Sequence, residues 1–316
     1  MNRKKLIGYF FTSAFAVFIT LTATAQQSKH ILKTIIVDPG HGYPDGGAEG
    51  RYSREADIAL AVARKLVKKI QDSLPEVKVL ITRNDQYLPN GLHNLDEANR
   101  WRAQFANENH GDLFICIHCN DAGSKIIYHS EITGYHTRVY YTGKGKKRKK
   151  HSQRVPEYNR WTTPNPVKGT ETYVWGVDKN DSKQQFIGNN ADSSDFYGEK
   201  DSLSQEMTSE QKIAAALKMK KYFNRSIFLA GLIQDQYKLQ NRLIHADFGD
   251  GVKQRTKGIW VLQATAMPSV LTEIGFITNP DEENYLNSQA GQDQIASAIF
   301  NAVSVYKKQV DAGRVR

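Results

Sequence analysis

The chain has 316 residues, of which 40% are hydrophobic and 24% are charged, with 23 glycines and 2 cysteines. This composition is that of an ordinary globular protein and excludes a collagen-like, coiled-coil or wholly disordered chain. Two cysteines are too few for a disulfide scaffold or a four-cysteine zinc site. The formal net charge of +10 indicates acidic partners, although its distribution along the chain matters more than its sum.

The amino-terminal segment predicts a signal peptide at 1–25. A basic start, MNRKK, precedes the apolar run LIGYFFTSAFAVFITL, and Ala23 and Ala25 stand at the small-residue positions of a cleavage site. The run is shorter than the roughly twenty apolar residues of a membrane anchor. We therefore expect an exported protein with no membrane span after signal cleavage. The periplasm is the favoured location, and the cell wall or extracellular space is the alternative.

The positive charge is concentrated in 125–168, which holds eleven Lys or Arg and two Glu. At its centre lies a basic arm, Lys144–Arg154, which we expect to be a mobile loop or a solvated arm because like charges repel. It is either a solvated loop without a dedicated partner or a site for an anionic polymer or lipid head groups. Export argues against nucleic acid as a partner.

Hydrophobic periodicity predicts an α/β fold with a mostly parallel central sheet and helices on both of its faces. The predicted strands are 33–38, 77–83, 112–118, 258–263 and 268–276. The predicted helices are 57–75, 95–109, 209–239 (with a break near Asn224) and 281–309. The segment 123–208 is basic and rich in Gly, Asn and Lys, with only brief strand-like runs, and is predicted to be a long insertion. These elements indicate one catalytic domain at 30–309, followed by a tail at 310–316.

Polar residues stand at the ends of otherwise apolar strands. His41 follows the first strand, His118 closes the third, and Glu273 lies in the last. Ligands bind at the carboxyl ends of strands in open α/β sheets. Two imidazoles and one carboxylate with an open position are typical of a hydrolytic zinc site, and a further carboxylate is needed to move the water proton. The sequence alone leaves open the roles of the carboxylates Asp38, Asp45, Glu49, Glu55 and Glu273.

Four segments, taken in order, resemble the zinc-dependent N-acetylmuramoyl-L-alanine amidases of the amidase-3 type. They are IIVDPGHGYPDGGAEG at 35–50, READIALAVARKL at 54–66, DLFICIHCN at 112–120 and MPSVLTEIGFITNPDEENYL at 267–286. The resemblance implies that the protein cleaves the amide bond between N-acetylmuramic acid and L-alanine of peptidoglycan, for cell separation and wall turnover. It also implies that His41, Glu55 and His118 bind one Zn2+ and that Glu273 is the general acid and base.

Glu49 competes with Glu55 for the third ligand position. We favour Glu55 because the helical pattern starts directly after it, and a carboxylate is stabilised at the start of a helix. Cys119 departs from the family pattern, in which a small residue usually follows the second histidine. Zinc ligation by both Cys116 and Cys119 is disfavoured because the two side chains point to opposite faces of a strand.

Two further residues are candidates for substrate contact. Arg102 resembles a recurring arginine of the family, and it either positions substrate or pairs with a nearby carboxylate. Asn120, in the second histidine motif, is the other candidate. Some exported members of the family carry a helix between the second histidine and the catalytic glutamate that covers the zinc until a partner displaces it. The resemblance raises two hypotheses, a protein activator and an autoinhibitory role for 123–208, but no part of 123–208 has strong helical periodicity, so autoinhibition stays open.

Three other functions stay open at this point. A related α/β scaffold could serve a zinc exopeptidase. The chain could also be a non-catalytic wall-binding or activator protein, although it retains all four candidate site residues. A module that binds polyanions through the basic arm is the last alternative, and it predicts steeply salt-dependent binding.

Overall fold

The computed structural model describes residues 31–176, 183, 187, 208–245, 249–255 and 258–315. The predicted signal peptide and the segment 188–207 of the insertion lie outside the described residues. No helix within the described ranges is long and apolar enough to cross a bilayer.

A central sheet of six strands, in the order β2-β1-β3-β8-β6-β7, organises the fold. The strands are β1 (Thr34–Pro39), β2 (Lys78–Ile81), β3 (Leu113–Asn120), β6 (Glu171–Trp175), β7 (Val252–Arg255) and β8 (Ser269–Phe276). All neighbours are parallel except β6 and β8, which are antiparallel. The predicted mostly parallel α/β sheet is thereby confirmed, and β7 is a strand that the sequence did not predict.

Six α-helices, of 5 to 31 residues, connect or flank these strands within the described residues. They are α1 (Glu55–Ser73), α2 (Leu95–Glu108), α3 (Ser209–Leu239), α4 (Trp260–Ala264), α5 (Pro280–Asn287) and α6 (Gln289–Asp311). The α3 helix runs through Asn224 without a break, and Thr208 caps its start reciprocally with Gln211. The prediction of a strand at 258–263 is wrong, since most of that segment forms α4. A short apolar run does not distinguish a strand from a buried helical turn.

Helices cover both faces of the sheet because the strands are apolar on both. On one face, Ile35 and Ile115 pack with residues of α1, α3 and α6; on the other, Ile36 and Phe114 pack with residues of α2 and α4. All four of these side chains are fully buried. Strands with buried apolar side chains on both faces, as in β1 and β3, are typical of a sheet enclosed by helices.

Part of the insertion forms a second, two-stranded sheet instead of the loop expected from its charge. The strands β4 (Ile126–Thr142) and β5 (Lys149–Pro164) pair antiparallel along their whole length and form a long hairpin. No residue of either strand is buried. The sequence did not predict this hairpin because it lacks the apolar face that marks a strand packed on a core.

Candidate metal centre and adjoining cavity

The three predicted metal ligands, His41, Glu55 and His118, lie together at the carboxyl edge of the sheet. His41 follows β1, His118 lies near the end of β3, and Glu55 is the first residue of α1. Each offers one ligand atom, and these atoms all lie within 4.8 Å of one another. Two imidazole nitrogens and one carboxylate oxygen form a donor set that fits Zn2+.

Glu55 is held at the centre of this cluster by both of its oxygens. Oε2 accepts a hydrogen bond from the backbone N–H of Ala48 at 2.8 Å, and Oε1 accepts one from that of Cys119 at 2.9 Å. Nδ1 of His118 lies 2.7 Å from Oε1, and Nε2 of His41 lies 3.2 Å from Oε2. Burial opposes ionisation of Glu55, but the two histidines outweigh it and hold its pKa below the usual range. The carboxylate is thus ionised, as a metal ligand must be.

His41 is oriented by Asp45, whose Oδ2 lies 2.6 Å from Nδ1 and leaves Nε2 turned toward Glu55. A carboxylate behind a ligating histidine fixes the ring and raises its basicity. Burial disfavours the protonated imidazole, but Asp45 and Glu55 outweigh it and raise the pKa of His41 to about 9. Because a metal competes with protons for the same nitrogen, we expect metal affinity to fall at low pH.

Two glycines leave the space that the ligands occupy. A Cβ at Gly40 would lie 2.3 Å from Nε2 of His118, and a Cβ at Gly47 would lie 2.6 Å from Oε2 of Glu55. Gly47 also has a φ of +68°, which favours glycine. The backbone therefore approaches the ligands more closely than any other residue type would permit at these two positions.

Gly47→Ala should weaken zinc binding by about 10-fold or more, as changes around metal ligands commonly do. The added methyl group collides with Glu55 and with the ring of His41, which lies 2.7 Å away. Zinc titration against a competing chelator measures the affinity. Gly91→Ala is the matched control, because Gly91 has a φ of +67° but no atom within 4 Å of its Cβ. Equal zinc affinity in the two variants would contradict the prediction.

Glu273 lies beside the cluster and is not one of its three ligands. It is paired with His118 in the parallel register of β3 and β8, and neighbouring strands lie about 4.8 Å apart. Its Oε2 is buried and has no hydrogen-bond partner among the described residues. Burial and the nearby carboxylates of Glu55 and Glu171 raise the pKa of Glu273 well above its usual value. A carboxyl group with a raised pKa beside a metal centre is suited to accept and return a proton.

A cavity of about 420 Å³ opens onto His118 and Glu273. It lies on the face of the sheet covered by α2 and α4, and residues of both helices contribute to its wall. The other lining residues are Asn99, Tyr173, Arg255, Gly258, Ile259, Trp260, Val261 and Leu271. A pocket with an exposed aromatic rim and an arginine can hold a polar ligand against the metal centre.

Next to Glu273 lies a buried charge network that the sequence analysis missed. Glu171 is paired with Glu273 in the register of β6 and β8 and is fully buried. Its oxygens contact Nζ of Lys253 at 2.5 Å, the hydroxyl of Tyr173 at 2.8 Å, and Nδ1 of His245. Burial opposes ionisation of Glu171, but these partners outweigh it and lower its pKa. In the sequence, this network is indicated only by the polar residues Glu171 and Tyr173 at alternate positions of the strand ETYVW. Lys253 and His245 give no such indication because they are far along the chain.

The two candidates for substrate contact lie outside the cavity wall. Arg102 is 1% exposed and donates hydrogen bonds to Asp38, to the carbonyl of Pro39 at 2.7 Å and to that of His41 at 2.5 Å. This geometry favours the alternative in which Arg102 pairs with a carboxylate. Asn120 is half-buried, and its backbone carbonyl accepts from Ile277 at 3.0 Å. Substrate contact by Asn120 stays a prediction.

The side chains of the competing ligands do not belong to the cluster. Glu49 is exposed. Cys116 and Cys119 are free thiols that pack on opposite faces of the sheet, and burial raises the pKa of both well above the usual value. The Sγ of Cys116 instead donates to Asp38 at 3.0 Å. Protonated thiols are poor zinc ligands, which favours the set of two histidines and Glu55.

Known proteins resemble this chain in sequence and in fold. AmiC, an N-acetylmuramoyl-L-alanine amidase of Escherichia coli O6:H1, is 27% identical over 86% of this chain, which spans 52% of the length of AmiC. An N-acetylmuramoyl-L-alanine amidase from Clostridium difficile 630 superposes with a TM-score of 0.51 at 21% identity, covering 87% of this chain and 97% of that one. The CwlD amidase from Clostridioides difficile, in complex with the GerS lipoprotein, has a TM-score of 0.50 at 22% identity, covering 87% and 98%.

The model of one protein family, N-acetylmuramoyl-L-alanine amidase, matches residues 35–305. That match contains the metal cluster, all residues that line the cavity, and Glu273. The chain therefore belongs to the N-acetylmuramoyl-L-alanine amidase family of the amidase-3 type.

Proposed function

We propose that the protein is an exported zinc hydrolase that cleaves the amide bond between N-acetylmuramic acid and L-alanine in peptidoglycan. One observation carries the proposal: Glu273 adjoins His118 on the neighbouring strand, and both residues line the same cavity beside the three clustered metal donors. Family membership supports the reaction class, and the amidases to which the chain is similar support the substrate.

His41, Glu55 and His118 would hold Zn2+ through two nitrogens and one oxygen. When bound, Zn2+ polarises a carbonyl oxygen and lowers the pKa of water to about 7. Asp45 keeps His41 in the orientation that presents Nε2, and the backbone N–H groups of Ala48 and Cys119 fix the carboxylate of Glu55. The ligands are thus positioned before any substrate arrives, which reduces the reorganisation needed during the reaction.

Glu273 would move the proton. Its buried carboxylate takes a proton from the attacking water and returns it to the nitrogen of L-alanine as the amide bond breaks, so the stem peptide leaves as a neutral amine. Burial and the charges of Glu55 and Glu171 disfavour the ionised form of Glu273, raise its pKa and so make it a stronger proton acceptor. The cavity beside it accommodates the sugar or the first peptide residues.

The biological setting belongs to the same proposal. The predicted signal peptide supports export, with the periplasm as the favoured compartment, and the reaction would serve cell separation and wall turnover. The complex of CwlD with GerS is a precedent for a protein partner of a similar amidase and supports the idea of an activator. The autoinhibitory role of 123–208 stays a prediction. A deletion that tests it must spare β6, which lies inside that segment and carries Glu171.

The reaction can be tested on the zinc-loaded full chain with a soluble N-acetylmuramoyl tetrapeptide and with the same tetrapeptide lacking the sugar. We expect a stem peptide with a free amino-terminal alanine from the first substrate and no cleavage of the second, as detected by mass spectrometry. Chelation should abolish the activity, and added Zn2+ should restore it. Cleavage of the plain tetrapeptide alone would instead identify an exopeptidase, and zinc binding without any cleavage would favour a non-catalytic protein.

A further inference from the structure

The hairpin formed by β4 and β5 is a surface that the hydrolytic site does not use. Each strand of 17 or 16 residues extends for about 50 Å at about 3.3 Å per residue. Among the strands of the described residues, these two pair only with each other. Isolated two-stranded hairpins are marginally stable in water. The β4–β5 hairpin is therefore stabilised by contacts between the side chains of its two strands.

Those contacts are largely between cations and aromatic rings. The guanidinium of Arg148 lies 4.1 Å from the ring centroid of Tyr141, and that of Arg154 lies 3.9 Å from that of Tyr135. Stacked ring pairs, Tyr140 with His151 and His129 with Trp161, occur at centroid distances of 5.1 and 5.2 Å. The rings stay exposed, with Tyr135 at 50%.

The outer half of the hairpin is strongly cationic. Residues 143–154 contain seven Lys or Arg and no Asp or Glu. None of these seven forms an ion pair within the described part of the chain. Because no acidic side chain among the described residues neutralises them, these lysines and arginines repel one another and attract polyanions.

Cations and rings alternate along the ribbon and are not confined to its tip. Tyr141 and Tyr135 share one face with Lys150 and Arg154, as the antiparallel register requires. Nearer the base, Arg160 lies over the ring of Tyr158. The cationic and aromatic side chains therefore form a linear surface along the hairpin, to which an extended polymer can bind. A flat membrane would contact only the tip or one face of the hairpin.

The base of the hairpin is attached to the metal-binding loop. Nζ of Lys125 donates to the carbonyl of Gly50 at 2.8 Å, within the loop that connects His41 to Glu55. On the returning side, the carbonyl of Asn165 accepts from Nδ2 of Asn279, in the loop after β8. A polymer bound along the hairpin would thus lead to the hydrolytic site.

We propose that this hairpin is a second binding surface for the anionic glycan-peptide polymer, which retains the enzyme on peptidoglycan. This inference rests on the proposed function. The free carboxylates of stem peptides would pair with the lysines and arginines, and the sugar rings would stack on the exposed tyrosines and Trp161. A second attachment point makes binding at the hydrolytic site effectively intramolecular and so raises the affinity for the polymer without changing the affinity for a small fragment.

The test compares the zinc-loaded full chain with the variant Lys146→Ala/Lys147→Ala/Lys149→Ala/Lys150→Ala. The substrate is purified peptidoglycan freed of attached phosphate polymers, and binding is measured by co-sedimentation over a range of salt concentrations. We expect the variant to bind about 10-fold or more weakly at low salt and to show a shallower salt dependence. Cleavage of the soluble N-acetylmuramoyl tetrapeptide should change by less than about 2-fold, since the four lysines do not line the cavity.

A matched control removes the same charge from other exposed positions, as Lys33→Ala/Lys78→Ala/Lys218→Ala/Lys220→Ala. It should sediment like wild type, and equal loss in both variants would overturn the proposal. Unchanged sedimentation of the hairpin variant would also overturn it. So would binding to vesicles of phosphatidylglycerol without binding to peptidoglycan, which would identify a lipid surface instead. If wild type fails to cleave the soluble substrate, the proposed function fails, while sedimentation still decides the role of the hairpin.

Discussion

Glu273→Gln is expected to lower the turnover of the soluble N-acetylmuramoyl tetrapeptide by about 10²–10⁴-fold, the usual loss when a general acid or base is removed. Glutamine has the shape of glutamate but cannot accept the water proton. The zinc content should not change, because Glu273 is not among the three clustered ligands. Zinc analysis together with kcat and KM from product release measures both effects, and the loss should fall mainly on kcat.

Glu49→Gln is the matched control for this variant, because Glu49 is exposed on the metal-binding loop. It should keep both its zinc and its activity. Loss of zinc in Glu273→Gln would make Glu273 a ligand, and retained turnover would require a different proton acceptor. Loss of zinc in Glu49→Gln would reverse the choice of Glu55 as the third ligand.

Two of the predicted site residues could be found in the sequence because each breaks a local pattern. His118 and Glu273 interrupt apolar strands, and a buried polar group there is costly without a function or a partner. Glu55 breaks no such pattern, and its choice over Glu49 depended on the start of a helix and on the resemblance to a family. In the structure the first residue of α1 brings the carboxylate between the two histidines, and its role as a metal ligand stays a prediction.

The features that the sequence did not reveal depend on distant parts of the chain. Glu171 becomes conspicuous only when Lys253 and His245, more than seventy residues away, are brought against it. The hairpin carries polar and aromatic residues on both faces, so it lacks the two-residue alternation of a strand that covers a core. The segment around Trp260 was wrongly predicted as a strand because its few apolar residues fit a strand and a helical turn equally well.

Asp38→Asn should destabilise the fold by about 3–5 kcal/mol, since it leaves a buried guanidinium without its counter-charge. Asp38 and Arg102 form an ion pair in which each side chain is 1% exposed. Thr82 and Cys116 also donate to the carboxylate of Asp38, at 2.5 and 3.0 Å. Urea unfolding at neutral pH measures the free energy. Asp72→Asn, in an exposed pair with Lys68, is the control and should cost less than about 1 kcal/mol.

The effect of Asp38→Asn should also depend on pH in a defined direction. Burial opposes ionisation of Asp38, but the charge of Arg102 and the hydrogen bonds from Cys116, Thr82 and Arg102 outweigh it and lower its pKa. A lowered folded-state pKa means that the carboxylate stabilises the fold above its unfolded pKa of about 3.9, and that this contribution is lost as the pH falls through the folded value. The difference in unfolding free energy between wild type and Asp38→Asn should therefore shrink below about pH 4.

The double variant Asp38→Leu/Arg102→Met separates the cost of an unpaired charge from the value of the pair. Replacing both partners of a buried ion pair with apolar side chains is often neutral or stabilising. We therefore expect the double variant to recover most of the stability that Asp38→Asn loses. Its zinc affinity should nonetheless be lower than that of wild type, because Arg102 also donates to the carbonyl of His41 and so holds the loop that carries this ligand. Recovered stability together with wild-type zinc affinity would show that Arg102 balances the charge of Asp38 but does not position the metal centre. Recovered stability with a zinc affinity below that of wild type would show that Arg102 positions His41. Its burial and its hydrogen bond to the carbonyl of His41 are consistent with that role.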